Sequence, residues 1–155
     1  MAMNNVTKKF DKARDKLGLD GDEQVLAGCL TDPKAAIGMA AGGVAGVAVQ
    51  SALRARKEAG APPAQGAAAT WPAGRNLMAI TSKRVVVAKM SQMSGRPTEV
   101  LAWWPHSDIV RFTVEKRATG YPFEVTFADG SIARDEGGKG TGADRLGEVA
   151  ASIWR

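Results

Sequence analysis

The stretch Asn76-Leu-Met-Ala-Ile-Thr81-Ser-Lys-Arg84-Val-Val-Val-Ala-Lys-Met90 decides the fold of this 155-residue chain. Its two apolar runs are separated only by Ser82 and Lys83, which is the spacing of a tight β-hairpin. Five further segments have strand-like composition or alternation: 23–30, 99–104, 108–117, 121–127 and 131–134. The chain is therefore predicted to contain seven strands, six of them in an antiparallel meander.

Alternation within the predicted strands separates core residues from surface residues. The residues predicted to face inward are Val25, Ala27 and Cys29, then Val110, Phe112 and Val114, then Phe123, Val125 and Phe127. Trp103 and Trp104 are neighbours in one strand, so one of them should be buried and the other should lie at a rim. Cys29, in the middle of a strand, is expected to be a small buried hydrophobe rather than a reactive thiol.

Amphipathic helices are predicted at both ends of the chain. Within residues 1–20, one helical face carries Val6, Phe10, Ala13 and Leu17. Lysines occupy much of the remaining surface, and Gly18 supplies a stop. This helix either packs its apolar stripe on the main domain or lies on an anionic membrane. At the other end, Thr141 and Asp144 approximate a capping box. The apolar face of that last helix carries Leu146, Val149, Ala150, Ile153 and Trp154.

Residues 33–75 form an Ala/Gly-rich insertion between the first two strands. Thr31-Asp32-Pro33 is a favourable helix start, and the segment that follows, 35–53, is predicted to be a helix. Glycine at every fourth position gives it a small-residue packing stripe, which consists of Gly38, Gly42 and Gly46. The 15 wholly apolar residues 35–49 would span about 22 Å as a helix, less than the roughly 30 Å of a bilayer core.

Three interpretations of this inserted helix stay open: packing on protein or on its own copy, shallow membrane insertion, or a single membrane span. The basic residues that follow it would face anionic headgroups or an acidic partner, and they are Arg54, Arg56, Lys57 and Arg75. The rest of the insertion, up to residue 74, is predicted to be a flexible linker.

Charge and composition limit the functions that the chain can have. Of the net charge of +5, residues 33–75 contribute +4 (five basic, one acidic), residues 1–32 contribute −1 and residues 76–155 contribute +2. One Cys and one His exclude an internal disulfide and a Cys/His zinc cluster. No catalytic residue, cofactor or metal site is predicted. The first residues have no signal-peptide pattern, so a cytoplasmic protein is expected, either free or peripheral on the inner face of the membrane.

Two other features have modest interpretations. His106 is expected to be a solvent-exposed loop residue rather than a general base, because no nucleophile motif accompanies it. The Gly-rich stretch 137–142 (GGKGTG) lacks the spacing of a phosphate-binding loop and is interpreted as a flexible connector. No nucleic-acid-binding signature is present, so nucleic acid is not an expected partner.

Three short motifs resemble those of bacterial pleckstrin-homology-like (PH-like) and GRAM-like domains. LMAITSKRV at 77–85 resembles the second hairpin of these domains, WPHSDI at 104–109 their entry into the next strand, and FADG at 127–130 their final hairpin. The resemblance covers residues 23–30 and 76–155. It implies a binding platform for lipid, peptide or protein without catalytic residues. Because the insertion separates the strands around which lipid-binding members cluster basic residues, phosphoinositide specificity does not transfer.

The predicted fold class is α+β and mainly β, a seven-stranded antiparallel PH-like barrel with a C-terminal amphipathic helix. The domain spans 23–155, is interrupted by 33–75, and follows the helix within 1–20. The first functional hypothesis is a non-enzymatic platform for a membrane surface or a protein partner, in which the glycine-zipper helix mediates membrane association or homo-oligomerisation. The alternative is a soluble structural or interaction protein whose inserted helix packs on its own barrel.

Overall fold

A computed structural model of the chain describes residues 5–32 and 66–154. Two short helices, α1 (Val6–Lys12) and α2 (Arg14–Leu17), precede the strands. The strands are β1 (Val25–Thr31), β2 (Asn76–Thr81), β3 (Arg84–Met90), β4 (Pro97–Pro105), β5 (Ile109–Val114), β6 (Gly120–Phe127) and β7 (Ile132–Gly138). Helix α3 (Leu146–Ile153) follows them, and 3₁₀ turns lie at Gly66–Thr70, His106–Asp108 and Ala143–Arg145.

Within the described ranges, the seven strands form one antiparallel sheet in the order β4-β3-β2-β1-β7-β6-β5. The predicted class, a seven-stranded antiparallel fold with a C-terminal helix, is confirmed. The sheet is not closed into a barrel, because the turn at His106–Asp108 leads from β4 to β5 without pairing them. Side-chain packing connects β4 with β6 instead. The Trp71 ring stacks on Trp104 of β4, with ring centroids 4.9 Å apart, and meets Phe123 of β6 edge-on at 5.8 Å.

The sheet has two cores, one on each face of its first strands. We call the first the inner core; it lies under α3 and includes Cys29, Met78, Val87, Trp104, Phe112, Phe127 and Leu146. The second, the helix-side core, lies under α1 and α2 and consists of Val6, Phe10, Leu17, Leu19, Leu77, Ala79, Val86 and Ala88. All six residues of β2 are buried because both of its faces are covered, which explains why the deciding hairpin is so continuously apolar.

The N-terminal helix packs its apolar stripe on the sheet, which is the first of the two predicted alternatives. Asn5 caps α1 by accepting a hydrogen bond from the Lys8 amide at 3.2 Å, and the helical path breaks at Ala13 and ends at Gly18, which has φ +69°. The alternative in which this apolar stripe faces a membrane is wrong, because Val6 and Phe10 are buried in the helix-side core. The charged face of α1 stays in solvent.

Bulges correct two of the predicted inward positions. The β1–β2 register shifts between Val25 and Ala27, so Val25 packs with the helix-side core whereas Ala27 and Cys29 lie in the inner core. In β5 the register shifts between Ile109 and Arg111, which leaves Val110 56% exposed. A bulge adds one residue to a strand and reverses the faces beyond it, so plain alternation assigns these two residues wrongly.

Several other core assignments are confirmed. Phe123, Val125 and Phe127 are buried, and Cys29 is fully buried; burial raises the pKa of the Cys29 thiol, which keeps it protonated and inert. Trp104 is buried and Trp103 is 52% exposed, which confirms the predicted division between core and rim. The exposed Trp103 ring lies 4.9 Å from the guanidinium carbon of Arg84.

The Gly-rich stretch after residue 136 is not a connector throughout, because β7 continues to Gly138. Gly137 pairs with Thr31 and Tyr121, and a Cβ at this position would lie 2.7 Å from the Ala143 Cβ. The predicted capping box is also wrong. The Thr141 hydroxyl donates to the Gly138 carbonyl at 2.6 Å and accepts from the Leu30 amide at 3.1 Å, so it is engaged with β7 and β1 rather than with the helix.

The inserted helix predicted over 35–53 lies outside the described residues. The predicted linker is described from residue 66 onward, and there it is ordered by specific contacts. The Ala67 amide donates to Asp129 Oδ2 at 2.7 Å and the Ala68 amide donates to Ser131 Oγ at 3.0 Å. Trp71 then enters the inner core, so this part of the linker prediction is wrong.

Candidate functional site

The loop between β3 and β4, residues 91–96, projects one apolar side chain into solvent. The Ser91 side-chain oxygen accepts hydrogen bonds from the Met93 and Ser94 amides, each at 3.3 Å, and the Gly95 amide donates to the Ser91 carbonyl at 2.9 Å. Gly95 has φ +67°, a conformation that glycine adopts without strain. At the tip of this loop Met93 is 99% exposed.

Helix α1 is fixed against the same loop. Lys9 Nζ donates to the Gly95 carbonyl at 3.1 Å, which holds the helix and the loop together. Lys12 lies one turn further along the exposed side of α1, and Lys8 is exposed as well. The contact places α1, whose exposed residues include Lys8, Lys12 and Asp11, against the loop that carries Met93.

The end of β3 and the last residue of the loop add further positive charge. Arg96 is exposed, and Lys89 lies 4.0 Å from Glu99, with both side chains more than half exposed. An exposed ion pair at this distance is nearly neutral in energy, so Lys89 stays available to other anions. We call the loop and the basic residues around it the tip patch, and define it by Lys9, Lys12, Lys89, Met93 and Arg96. Lys9 and Lys12 lie on the α1 side of the sheet, whereas Lys89 lies between Ala88 and Met90 of the helix-side core and so leaves the opposite face.

The other end of β3 is organised differently. There Lys83 binds Asp20 at 3.1 Å and Asp22 at 2.8 Å, and Arg84 binds the buried carboxylate of Glu23 at 2.8 Å. Burial by itself would raise the pKa of Glu23, but hydrogen bonds from Arg84 and Thr81 bring this pKa down to about 2. The two basic residues at this end are paired with three acidic ones, so β3 has one end whose basic residues are internally paired and one that exposes basic and apolar groups.

A buried acidic residue lies on β7, in contact with the last part of the insertion. Asp135 accepts a hydrogen bond from Trp71 Nε1 at 2.9 Å and another from the Glu136 amide at 2.8 Å. Burial raises the pKa of Asp135 to about 7 in spite of these two donors. Its carboxyl group therefore joins the tail of the insertion to the inner core.

The neighbouring Glu136 is more unusual. It is as buried as Asp135, yet in the part of the chain that the structure describes neither carboxylate oxygen has a hydrogen-bond partner. Burial raises the pKa of Glu136, and the nearby Asp32 carboxylate raises it further. A Cβ at Gly120 would collide with Glu136 Oε1, so this glycine makes room for the side chain.

Of the seven predicted site residues, Arg75 lies within the described ranges. Gly38, Gly42 and Gly46, together with Arg54, Arg56 and Lys57, lie outside the described residues, and the predictions for them stay predictions. Arg75 directly precedes β2 and donates to Asp32 Oδ2 at 3.2 Å. Its side chain is 59% exposed, so it remains accessible to an anionic group.

His106 is not the exposed loop residue that was predicted. Its Nε2 lies 2.8 Å from the Thr81 carbonyl oxygen, its ring packs edge-on against Trp154 with centroids 5.1 Å apart, and its own carbonyl accepts from Trp154 Nε1 at 3.1 Å. These contacts tie the β4–β5 turn to β2 and to the end of α3. Across residues 5–32 and 66–154, no group of three or more His, Cys, Asp or Glu residues could hold a metal ion.

The tip patch was not predicted as a site. The sequence shows a polar loop at 91–98 and a lysine-rich helix face, but nothing in it indicates that Lys9 reaches Gly95, which is 86 positions away. A methionine in a loop of otherwise polar residues was the one available signal. Glu136 gave no signal, because a single acidic residue in a strand is ordinarily read as solvent-exposed.

The strand order, the antiparallel meander and the terminal helix together give the layout of a PH-like domain. No family model matches the chain, and no curated protein matches it. Among solved structures, the chain is similar to the crystal structure of a DUF1696 family protein with a pleckstrin-homology domain from Shewanella loihica pv-4. The identity is 18%, the TM-score is 0.39, and the match covers 50% of this chain and 69% of that chain. The fold assignment rests on the strand order and the terminal helix rather than on this likeness.

In the described residues, no helix is both long enough and apolar enough to cross a bilayer.

Proposed function

We propose that this protein is a non-enzymatic binding module that docks peripherally on an anionic membrane surface through the tip patch. The observation that carries the proposal is the full exposure of Met93 at the tip of a loop to which Lys9 is bound and which Lys89 and Arg96 flank. An exposed apolar tip surrounded by basic side chains suits the boundary between headgroups and acyl chains.

The expected strength of this docking is modest. Burying the Met93 side chain contributes at most about 1.5–3 kcal/mol, and each basic residue near an anionic leaflet contributes about 1 kcal/mol. With four basic residues the sum is roughly 5–7 kcal/mol before the entropic cost of association, which corresponds to a dissociation constant no tighter than about 10 μM. The tip patch alone is therefore a weak and reversible anchor.

Stable attachment to a membrane takes two signals, and the insertion is the natural second one. We propose that Arg54, Arg56, Lys57 and Arg75 supply additional contacts to the same anionic surface. Gly38, Gly42 and Gly46 would act as a glycine zipper that pairs two copies of the chain. Pairing would double the number of tip patches that engage one membrane and raise the apparent affinity without any new contact.

Co-sedimentation of the full chain with phosphatidylcholine vesicles, prepared with and without phosphatidylserine, tests the docking. We expect pelleting only with the anionic lipid, and we expect it to decrease at high salt because screening weakens the electrostatic part. The double variant Lys9→Glu/Arg96→Glu should bind at least about tenfold more weakly, since it reverses two charges of the patch. Arg111→Glu, which reverses an exposed charge on β5, is the matched control. Equal recovery in the supernatant with both lipids would overturn the proposal.

A second candidate function is a structural or interaction protein whose insertion packs on its own sheet. The observation in its favour is that the last part of the insertion packs against the inner core, where Ala68 is buried and Trp71 stacks on Trp104. In that case Gly42→Leu should lower the thermal stability or shift the oligomer mass, because a large side chain would separate closely packed backbones. No change in either measurement would exclude this packing role.

A further inference from the structure

Methionine sulfur atoms in this protein differ sharply in their access to solvent. Of the three methionines in the described residues, Met78 is completely buried, Met90 is partly buried and Met93 is 99% exposed. Because oxidation of a thioether requires direct contact with the oxidant, its rate should follow that order.

The shape of the loop does not depend on the Met93 side chain. Its backbone is held by the hydroxyl and the carbonyl of Ser91 and by the contact between Lys9 and Gly95. A chemical change at the Met93 sulfur therefore leaves the loop, the strands and the neighbouring basic residues in place. It alters only the polarity of the group that stands at the tip.

We propose that Met93 is a reversible oxidation site at which a peroxide controls the docking surface; this inference rests on the proposed function. The thioether sulfur attacks one oxygen of the peroxide, the O–O bond breaks and an S–O bond forms. The sulfur is oxidised by two electrons, and with hydrogen peroxide the departing hydroxide takes the proton of the oxygen that has bonded to sulfur and leaves as water. The product is methionine sulfoxide; a methionine sulfoxide reductase supplied with a dithiol converts it back to the thioether, the oxygen leaving as water while the dithiol becomes a disulfide.

The sulfoxide weakens docking for a simple reason. The thioether side chain gains free energy when it leaves water, whereas the sulfoxide oxygen is a strong hydrogen-bond acceptor that would have to be dehydrated. The basic residues of the tip patch are unaffected. We therefore expect oxidation to reduce the affinity for anionic vesicles about tenfold while the dependence on salt stays the same.

The experiment treats the full chain with dilute hydrogen peroxide, maps the modified residues by mass spectrometry of peptides, and measures binding to phosphatidylserine-containing vesicles before and after treatment. We expect one added oxygen on Met93 before any appears on Met90 or Met78, weaker binding after treatment, and recovery with the reductase. The Met93→Leu variant shows whether oxidation of any other methionine affects binding. Its affinity for the vesicles should be the same before and after peroxide treatment, whatever the value before treatment.

Each outcome bears on a separate part of the inference. If the untreated chain binds vesicles and the oxidised chain binds equally well, the switch is excluded and the docking function stands. Oxidation of Met78 or Met90 before Met93, or a loss of binding in peroxide-treated Met93→Leu, would also exclude it. If the untreated chain does not bind at all, the docking function fails and the switch fails with it.

Discussion

Glu23 and Glu136 are both fully buried, but the surroundings of the two carboxylates are opposite. Glu23 receives hydrogen bonds from the Arg84 guanidinium, the Thr81 hydroxyl and the Asp20 amide. Within the described ranges Glu136 receives none; the charge of Asp32 raises its pKa, and that of Arg117 lowers it by less. The same side chain at the same burial thus exists once with several hydrogen-bond donors and once without a donor.

The difference shows that burial alone does not determine how a carboxyl group titrates. Hydrogen bonds to the charged form outweigh the burial of Glu23 and lower its pKa, whereas at Glu136 burial acts without opposition from a hydrogen bond and the pKa rises. The two sites also differ in position. Glu23 fixes the approach to β1 against the β2–β3 turn, and Glu136 lies beside Asp32, where the insertion begins.

The largest expected effect comes from breaking the partnered site. Arg84→Met removes three hydrogen bonds to Glu23 and leaves a buried charge with only the Thr81 and Asp20 donors. We expect the free energy of unfolding at pH 7 to fall by about 3–5 kcal/mol, because stranding one partner of a buried pair costs its full desolvation. Urea denaturation followed by circular dichroism measures this.

The double variant Glu23→Gln/Arg84→Met should recover part of the loss, since it removes the stranded charge as well. Arg111→Met, at an exposed arginine on β5, is the control and should leave stability within about 0.5 kcal/mol of the parent. A change of less than about 1 kcal/mol in Arg84→Met would show that Glu23 finds other partners.

An intermediate effect of opposite sign is expected at the unpartnered site. Glu136→Met replaces a buried acceptor group that has no donor with an apolar side chain of similar length. We expect the free energy of unfolding at pH 8 to rise by about 1–3 kcal/mol. The matched control is Glu124→Met on the adjacent β6, whose carboxylate binds Arg134 at 2.9 Å and whose loss should give no gain. Destabilisation of Glu136→Met would mean that this carboxylate has a stabilising partner.

The smallest change at acidic pH is expected at Asp135, where the informative quantity is the pH dependence of the unfolding free energy. The pKa of Asp135 is raised from 3.8 to about 7 in the folded state, so the unfolded chain loses this proton first. The stability associated with Asp135 is therefore complete below about pH 4 and is lost as the pH rises to about 7. Asp135→Asn should flatten the profile of unfolding free energy in that range. Below about pH 4 it should differ from the parent by no more than about 1 kcal/mol, because both side chains are neutral there, and above about pH 7 the variant should be the more stable of the two.

Glu23 provides the opposite pH dependence within the same protein. Its pKa is lowered from 4.5 to about 2, so its contribution to stability is present above about pH 4.5 and is lost as the pH falls toward 2. Denaturation series from pH 2 to 8 should separate the two groups. An Asp135→Asn profile as steep as that of the parent between pH 4 and 7 would show that Asp135 is ionised throughout this range.

The order of the elements could be predicted from the sequence because it depends on local periodicity. The hairpin at 76–90 and the alternation of Phe123, Val125 and Phe127 are local patterns, and both are confirmed. Positions that depend on an adjacent strand could not be predicted. The bulges that move Val25 and Val110 to other faces are set by the register with β2 and β6, and no local pattern contains that information.

The sequence by itself determined the seven strands, the amphipathic helices at both ends and the inert character of Cys29, since each follows from the hydrophobicity and spacing of neighbouring residues. Only the tertiary structure decided that the sheet stays open, that Trp71 enters the inner core, and that Lys9 meets Gly95 beside Met93. It also decided which of the two buried glutamates accepts hydrogen bonds from an arginine. Each of these depends on residues that are tens of positions apart in the chain and come together only when the backbone folds, because the distance between charges and the exposure of a side chain are properties of the folded surface.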